Sequence, residues 1–322
     1  MTGREPIGDE EQVLLLSGAE VESLLVGSAL VEAMAGALRS YSAGSAVAPP
    51  RVAASTSGGL LAAMPAYLPG VALSTKLISI FPGNHELGRA SHQGVVALFD
   101  DEDGRLLCLM NAEPITGRRT SAVSALSVAL LSRAESRILA ILGAGVQART
   151  HLDAVAPIRE FTEIRLAARH PDRAESLAAE YPRCRVMPTF EAAVTMADVV
   201  VCCTGADSPI VKHQWLSPGC HVVSVGTGAE LDADTIAAGR IFVEWRGAVT
   251  SPPPAGAKEL HGRDPLSVTE LGEVIADPQR GRTAAEQITV FKSTGLGVED
   301  AAAARLVYDA ARLKGVGSTC RW

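Results

Sequence analysis

Aromatic residues are scarce in this 322-residue chain, at 4%. Positive charge is not in excess either: 29 Lys and Arg stand against 36 Asp and Glu, for a formal net charge of −7. A nucleic-acid partner calls for the reverse, a cationic surface with stacking side chains, so that class is set aside first. Long apolar runs are also missing. Residues 53–80 form a rich stretch, but Ser55, Ser57, Pro65, Pro69 and Lys76 break it up, well short of the roughly 18 uninterrupted residues that suggest a membrane span. The opening Met1-Thr-Gly-Arg-Glu-Pro-Ile-Gly-Asp-Glu-Glu11 is acidic and lacks the apolar core of a signal peptide. Six cysteines, at 108, 184, 202, 203, 220 and 320, form no C-x-x-C pair and no ligand spacing with His. They read as reduced, buried thiols in a cytoplasmic protein. Neither H-E-x-x-H nor G-x-S-x-G occurs, so neither a catalytic metal nor a hydrolase elbow is expected.

What is present falls into two textures. Residues 19–40 carry apolar side chains at three- and four-residue steps, the mark of an amphipathic helix. From Val52 to Leu107 short β-prone runs alternate with Gly and Pro turns, and Asp100-Asp-Glu-Asp-Gly104 reads as a hairpin loop. A small-residue helix is expected over 120–134. Beyond it, strand-like and helix-like segments alternate: 138–142, 163–168, 185–188, 198–203, 221–225 and 240–244 are the strands. Continuous apolar runs between helices predict a parallel sheet covered on both faces, and six of them match the doubly wound dinucleotide-binding fold. Residues 287–295 resemble a further strand and turn, followed by a helix over 298–313.

Gly143-Ala-Gly-Val-Gln-Ala148 is a G-x-G-x-x-A string between an apolar strand and a helix. Gly143 permits the tight turn, Gly145 lets backbone approach a pyrophosphate, and Ala148 allows close packing. The helix start, with Val146 and Gln147, offers unpaired N–H groups to the anion. A dinucleotide is therefore the expected cofactor. Where NAD binders usually carry an acid to hold the ribose 2′-OH, this chain has Ala168-Arg169-His170. Arg169 suits a 2′-phosphate, with His170 as a second donor, which favours NADP(H) over NAD(H).

These motifs, with Lys76-Leu-Ile-Ser-Ile-Phe-Pro-Gly-Asn84, His92-Gln-Gly-Val-Val96, Ile115-Thr-Gly-Arg-Arg-Thr-Ser-Ala-Val-Ser-Ala125 and Phe291-Lys-Ser-Thr-Gly-Leu-Gly-Val-Glu-Asp300, give the chain a resemblance to the ornithine cyclodeaminase/μ-crystallin family over nearly its whole length. The resemblance implies an α/β protein: a Rossmann doubly wound parallel sheet, residues 121–289, inserted in an α+β substrate-binding and dimerisation domain of residues 1–120 plus 290–322. It also implies a homodimer and a small amino-acid-like substrate with a carboxylate. Arg51, Lys76 and Arg119 are cations among apolar or small neighbours, which by itself hints at an anionic ligand. They match the family's carboxylate-binding positions, with Arg118 as the neighbour of Arg119. Lys76, crowded by arginines, is expected to have a lowered pKa and to exchange a proton with the substrate. Thr120 is expected at a helix start, as a cap or a phosphate ligand. Thr204, Gly226 and Ser293 are further cofactor positions that the resemblance implies.

One departure bears on activity. Cyclodeaminases and some dehydrogenases of the family carry an acid after the fifth strand in a Gly-x-Asp-x-Pro-Gly-like segment, whereas Val225-Gly-Thr-Gly-Ala-Glu-Leu-Asp232 lacks it. Cyclisation needs a base to free the distal amine, so reduction of a preformed C=N is favoured. The expected reaction is NAD(P)H-dependent reduction of 1-pyrroline-2-carboxylate or 1-piperideine-2-carboxylate type imino acids. The alternatives are an alanine-type amino-acid dehydrogenase, an ornithine cyclodeaminase and a noncatalytic NADPH or small-ligand binder.

Overall fold

The computed structural model describes residues 12–25 and 27–321; the acidic opening segment lies outside them. Its elements run β1 (Gln12–Leu16), α1 (Gly18–Leu24), α2 (Gly27–Ser42), β2 (Val52–Ser55), β3 (Leu60–Leu68), β4 (Ala72–Ile80), β5 (His92–Phe99) and β6 (Leu106–Asn111). Then come α3 (Ala112–Leu131), β7 (Ile138–Leu142), α4 (Val146–Val155), β8 (Glu163–Ala167), α5 (Pro171–Glu180), β9 (Cys184–Val186), α6 (Phe190–Val194), β10 (Val199–Cys202) and β11 (His221–Val225). The chain closes with α7 (Ala233–Ala238), β12 (Arg240–Val243), α8 (Gly247–Thr250), β13 (Thr269–Glu270), α9 (Leu271–Ala276), β14 (Thr289–Ser293), α10 (Gly297–Lys314) and β15 (Ser318–Arg321). Among the described residues no single helix is long and apolar enough to cross a membrane.

Two compact units divide the chain. Of the described residues, the first takes 12–25, 46–116 and 297–321. Its seven-stranded sheet has the order β15-β1-β6-β5-β4-β3-β2, antiparallel except where β1 pairs with β6. Alternation along β3 turns Ala62, Met64, Ala66 and Leu68 inward, and on β4 the same period buries Ala72, Ser74, Lys76 and Ile78. Helix α10 packs across β3, β4 and β5. Its first residue must be small: a Cβ on Gly297 would lie 3.0 Å from the Ala66 Cβ and from the Pro65 carbonyl oxygen. The 100–104 loop joins β5 and β6 as a hairpin, with Gly104 at φ +78°.

The second unit takes residues 27–45 and 117–296. Eight parallel strands follow the order β13-β12-β14-β11-β10-β7-β8-β9. Strands β10, β11 and β14 are buried along their whole length, as expected of a sheet covered on both faces. The doubly wound parallel sheet expected from sequence is present, but its composition differs. The sixth strand beside β11 is β14, not the 240–244 segment, which is displaced one place outward. Residues 290–296 thus belong to this unit, and the expected boundaries at 120/121 and 289/290 move to 116/117 and 296/297. The expected 19–40 helix is two helices, and α2 joins the second unit, where it packs on α9.

Helix α3 begins eight residues before the expected start. The Asn111 Oδ1 caps it by accepting from the Glu113 N–H at 2.9 Å, and Pro114 is tolerated because it falls in the first turn, where no intrahelical donor is needed. Thr120 is consequently buried inside α3 and cannot cap its start.

Candidate functional site

In the second unit the phosphate-type turn is formed as its glycines require. Gly143 follows β7 with φ +125°, a conformation L side chains rarely adopt, and its N–H donates to the Ala167 carbonyl at 2.8 Å. A Cβ there would lie 2.7 Å from the Cys203 carbonyl oxygen, just past β10. Strand β7 has β8 on one side and β10 on the other, so this glycine marks the reversal of strand order, the usual ligand crevice of such sheets. Gly145 caps α4 with nothing within 4 Å of its missing Cβ, and Val146 and Gln147 open the helix beside it. Ala148 is fully buried. A left-handed glycine at the crevice, open space over a ten-residue helix start and exposed N–H donors fit a dinucleotide pyrophosphate.

Arg169 and His170 stand exposed just beyond the end of β8, with His170 at the N-cap of α5. Thr204 follows β10, and its hydroxyl donates to the Glu230 carboxylate at 2.6 Å. Gly226 follows β11 at φ +101° and donates its N–H to the Ser293 carbonyl at 2.8 Å. The Ser293 hydroxyl is buried and donates to Glu244.

Buried acids organise the carboxyl edge of this unit. Glu230, the first acid after β11, is fully buried. One of its oxygens accepts from Thr204 N, Thr204 Oγ1 and Gly205 N at 2.8, 2.6 and 3.0 Å, and the other accepts from the Ser224 hydroxyl at 2.7 Å. Glu259 lies 2.7 Å from the buried Lys292 ammonium and accepts from the Leu231 N–H. Asp232 is an N-cap, accepting from Thr235 N at 2.9 Å. Two fully buried imidazoles support α3 and α4. His151 donates Nδ1–H to the Gln147 carbonyl at 2.6 Å, which leaves Nε2 to accept from the Ser124 hydroxyl at 2.8 Å. Burial pushes its pKa down to about 4, and burial pushes His221 down to about 3, aided by the Arg282 charge. Arg119, on α3, is buried, while its neighbour Arg118 is half-buried and paired with Asp153 at 3.0 Å.

The first unit holds the other two predicted cations. Arg51 is half-buried just ahead of the edge strand β2. Lys76 is buried on the inward face of β4, in register with Met64 on β3 and Val96 on β5. Its ammonium donates to the Asp300 carboxylate at 2.9 Å and to the Thr116 hydroxyl at 3.3 Å. Asp300 lies in the first turn of α10, where the helix dipole also favours an anion. The sequence showed only cations around Lys76; the structure adds a buried carboxylate partner. Among the described residues no group of three His, Cys, Asp or Glu side chains is placed to hold a metal ion.

The sequence model of the ornithine cyclodeaminase/mu-crystallin family matches residues 11–315. The chain belongs to that family. It is similar to the ketimine reductase mu-crystallin of Mus musculus, 38% identical over 306 residues that cover 91% of this chain and 96% of the relative. Among solved structures, the Delta(1)-pyrroline-2-carboxylate reductase of Thermococcus litoralis, in complex with NADH and L-proline, superposes with a TM-score of 0.88 at 31% identity, covering 95% of this chain and 99% of the other. An archaeal alanine dehydrogenase dimer with bound NAD gives 0.86 at 31% identity, with 97% and 99% covered. This member of the ornithine cyclodeaminase/mu-crystallin family is accordingly an oxidoreductase. Its dinucleotide-type turn and parallel sheet are the expected ones.

Proposed function

We propose that this protein is an NADPH-preferring reductase of small cyclic imino acids of the 1-pyrroline-2-carboxylate or 1-piperideine-2-carboxylate class. The observation that carries the reading is the Lys76 ammonium, buried on a sheet interior and charge-paired with Asp300. Reduction of C=N requires a hydride at carbon and a proton at nitrogen. Bound at the Gly143–Gln147 turn, a nicotinamide dinucleotide supplies the hydride. Lys76 Nζ holds the proton for the ring nitrogen, Asp300 orients that ammonium, and the guanidinium groups of Arg51 and Arg119 take the substrate carboxylate.

Two further features narrow the choice. The segment after the fifth strand lacks the cyclodeaminase acid, and Glu230, the first acid beyond the strand, has both oxygens committed to donors, so it does not stand in as the free base that cyclodeamination requires. Arg169 and His170 stand exposed just after β8, where NAD binders usually carry an acid, which supports a 2′-phosphate and hence NADPH. The dimeric archaeal relative supports a homodimer, and the six free thiols support a reducing, cytoplasmic setting.

The test is NADPH oxidation with 1-pyrroline-2-carboxylate, without ammonia. The wild-type protein turns it over, and Lys76→Ala abolishes turnover while still binding NADPH. Near-normal turnover in that variant overturns the role of Lys76. The archaeal alanine dehydrogenase supports a second reading, reductive amination of an open-chain oxo acid, which shows itself as turnover that depends on added ammonia.

A further inference from the structure

Glu244 follows β12, is fully buried, and has no part in the reaction as read above. Its carboxylate gathers three donors from one turn: the Ser293 hydroxyl at 2.5 Å, the Thr294 N–H at 2.9 Å and the Gly295 N–H at 2.6 Å. The neighbouring Trp245 indole N–H donates to the Thr294 hydroxyl at 3.0 Å, so both residues after β12 grip the same three-residue turn. A buried carboxylate that lost these donors would keep a costly uncompensated charge, and the turn is therefore pinned.

The far side of that turn faces Arg119. Gly295 has φ +81°, and a Cβ added there would lie 2.5 and 2.6 Å from the two terminal guanidinium nitrogens and 3.0 Å from Cζ. A side chain at position 295 would occupy the place of the guanidinium and would have to displace it.

We infer that Glu244 is a positioning residue for the substrate-carboxylate clamp: by fixing the Ser293–Gly295 turn it sets where the Arg119 guanidinium rests. Gly295 is the contact surface through which it acts. The inference rests on the reading of Arg119 as a carboxylate ligand.

The experiment compares Gly295→Ala, Glu244→Ala, Glu244→Gln and Arg119→Ala in the full-length protein, with KM measured separately for 1-pyrroline-2-carboxylate and for NADPH. Gly44→Ala is the control for backbone strain, since Gly44 has a similar φ of +74° but nothing within 4 Å of its missing Cβ. Displacing a clamp by about 1 Å costs up to about 100-fold. Gly295→Ala and Glu244→Ala are thus expected to raise the imino-acid KM by about 10- to 100-fold with the NADPH KM within twofold. Glu244→Gln, which keeps an acceptor oxygen, should recover part of the loss, and Gly44→Ala should change neither constant. Adding Gly295→Ala to Arg119→Ala should bring no further rise. If Arg119→Ala raises the imino-acid KM but Gly295→Ala and Glu244→Ala do not, the positioning role is overturned while the functional reading stands. If Arg119→Ala leaves that KM unchanged, the reading of Arg119 itself falls and takes the inference with it.

Discussion

Removing the carboxylate of Asp300 while keeping its shape tests the buried pair most directly. In Asp300→Asn the Lys76 ammonium, 2% exposed, loses a partner that is itself 0% exposed. No cavity forms, since Asn fills the same volume, so the cost is that of a buried ammonium stripped of its carboxylate partner, about 3–5 kcal/mol. Replacing both ends, as in Lys76→Met with Asp300→Asn, removes the charge that needed compensation. Most of the lost stability should return, because buried ion pairs often contribute little over neutral groups of similar size. The assay is a double-mutant cycle in urea, following the transition of the unit that contains β4 and α10. The coupling between the two sites is expected to reach about 2–3 kcal/mol. Activity should separate from stability: the double variant is stable but inactive, since it lacks the proton-bearing Nζ. An Asp300→Asn protein within about 1 kcal/mol of wild type would refute the argument that this buried pair depends on its carboxylate.

Other expectations follow from the same geometry. Gly143→Ala forces a side chain into φ +125° and onto the Cys203 carbonyl, so NADPH affinity should fall at least tenfold in a fluorescence titration; unchanged binding would remove the turn from the cofactor site. Arg169→Ala should raise the NADPH KM by about 10- to 100-fold, the loss of one or two charged hydrogen bonds, and leave the NADH KM nearly unchanged; equal effects on both would end the 2′-phosphate assignment. His151 and His221 are neutral in the fold, with pKa values of about 4 and about 3. The unfolded chain protonates at the ordinary value near 6.5, so their contribution is complete above about pH 6.5 and is lost as the pH falls. At pH 5 each costs about 2 kcal/mol, and the urea midpoint should drop between pH 7 and pH 5. A flat profile across that range, with the slope unchanged in His151→Gln, would contradict it.

The parallel sheet was legible because its strands are continuous apolar runs and its glycine turn has one physical use. The place of β14 was not: a strand that inserts between β11 and β12 after a connection of 45 residues leaves no local sign of its neighbours. The early start of α3 was hidden because Asn111-Ala-Glu-Pro114 reads equally as a loop and as a capped first turn. At the candidate site the cations stood out, since a charge among apolar residues is conspicuous. Their supporting acids did not. Asp300 at a helix start looks like an ordinary dipole-favoured acid, and Glu230, Glu244 and Glu259 look like surface residues. Only tertiary structure shows that each is buried under donors contributed by distant segments.

The assignment of α2 to the nucleotide-type unit has a practical corollary for dissection of this protein. A Cβ on Gly272 would lie 2.1 Å from the Leu38 carbonyl oxygen, and the Ser42 hydroxyl donates to Glu270 at 2.7 Å, so α9 is built to receive a helix encoded more than 200 positions earlier. An excised stretch of 117–296 would carry every strand of the eight-stranded sheet and still present a raw apolar seam where α2 belongs. Autonomous folding of that half should therefore demand residues 27–45 in trans or by circular permutation, and the nascent chain cannot complete either half until each discontinuous piece has been synthesised.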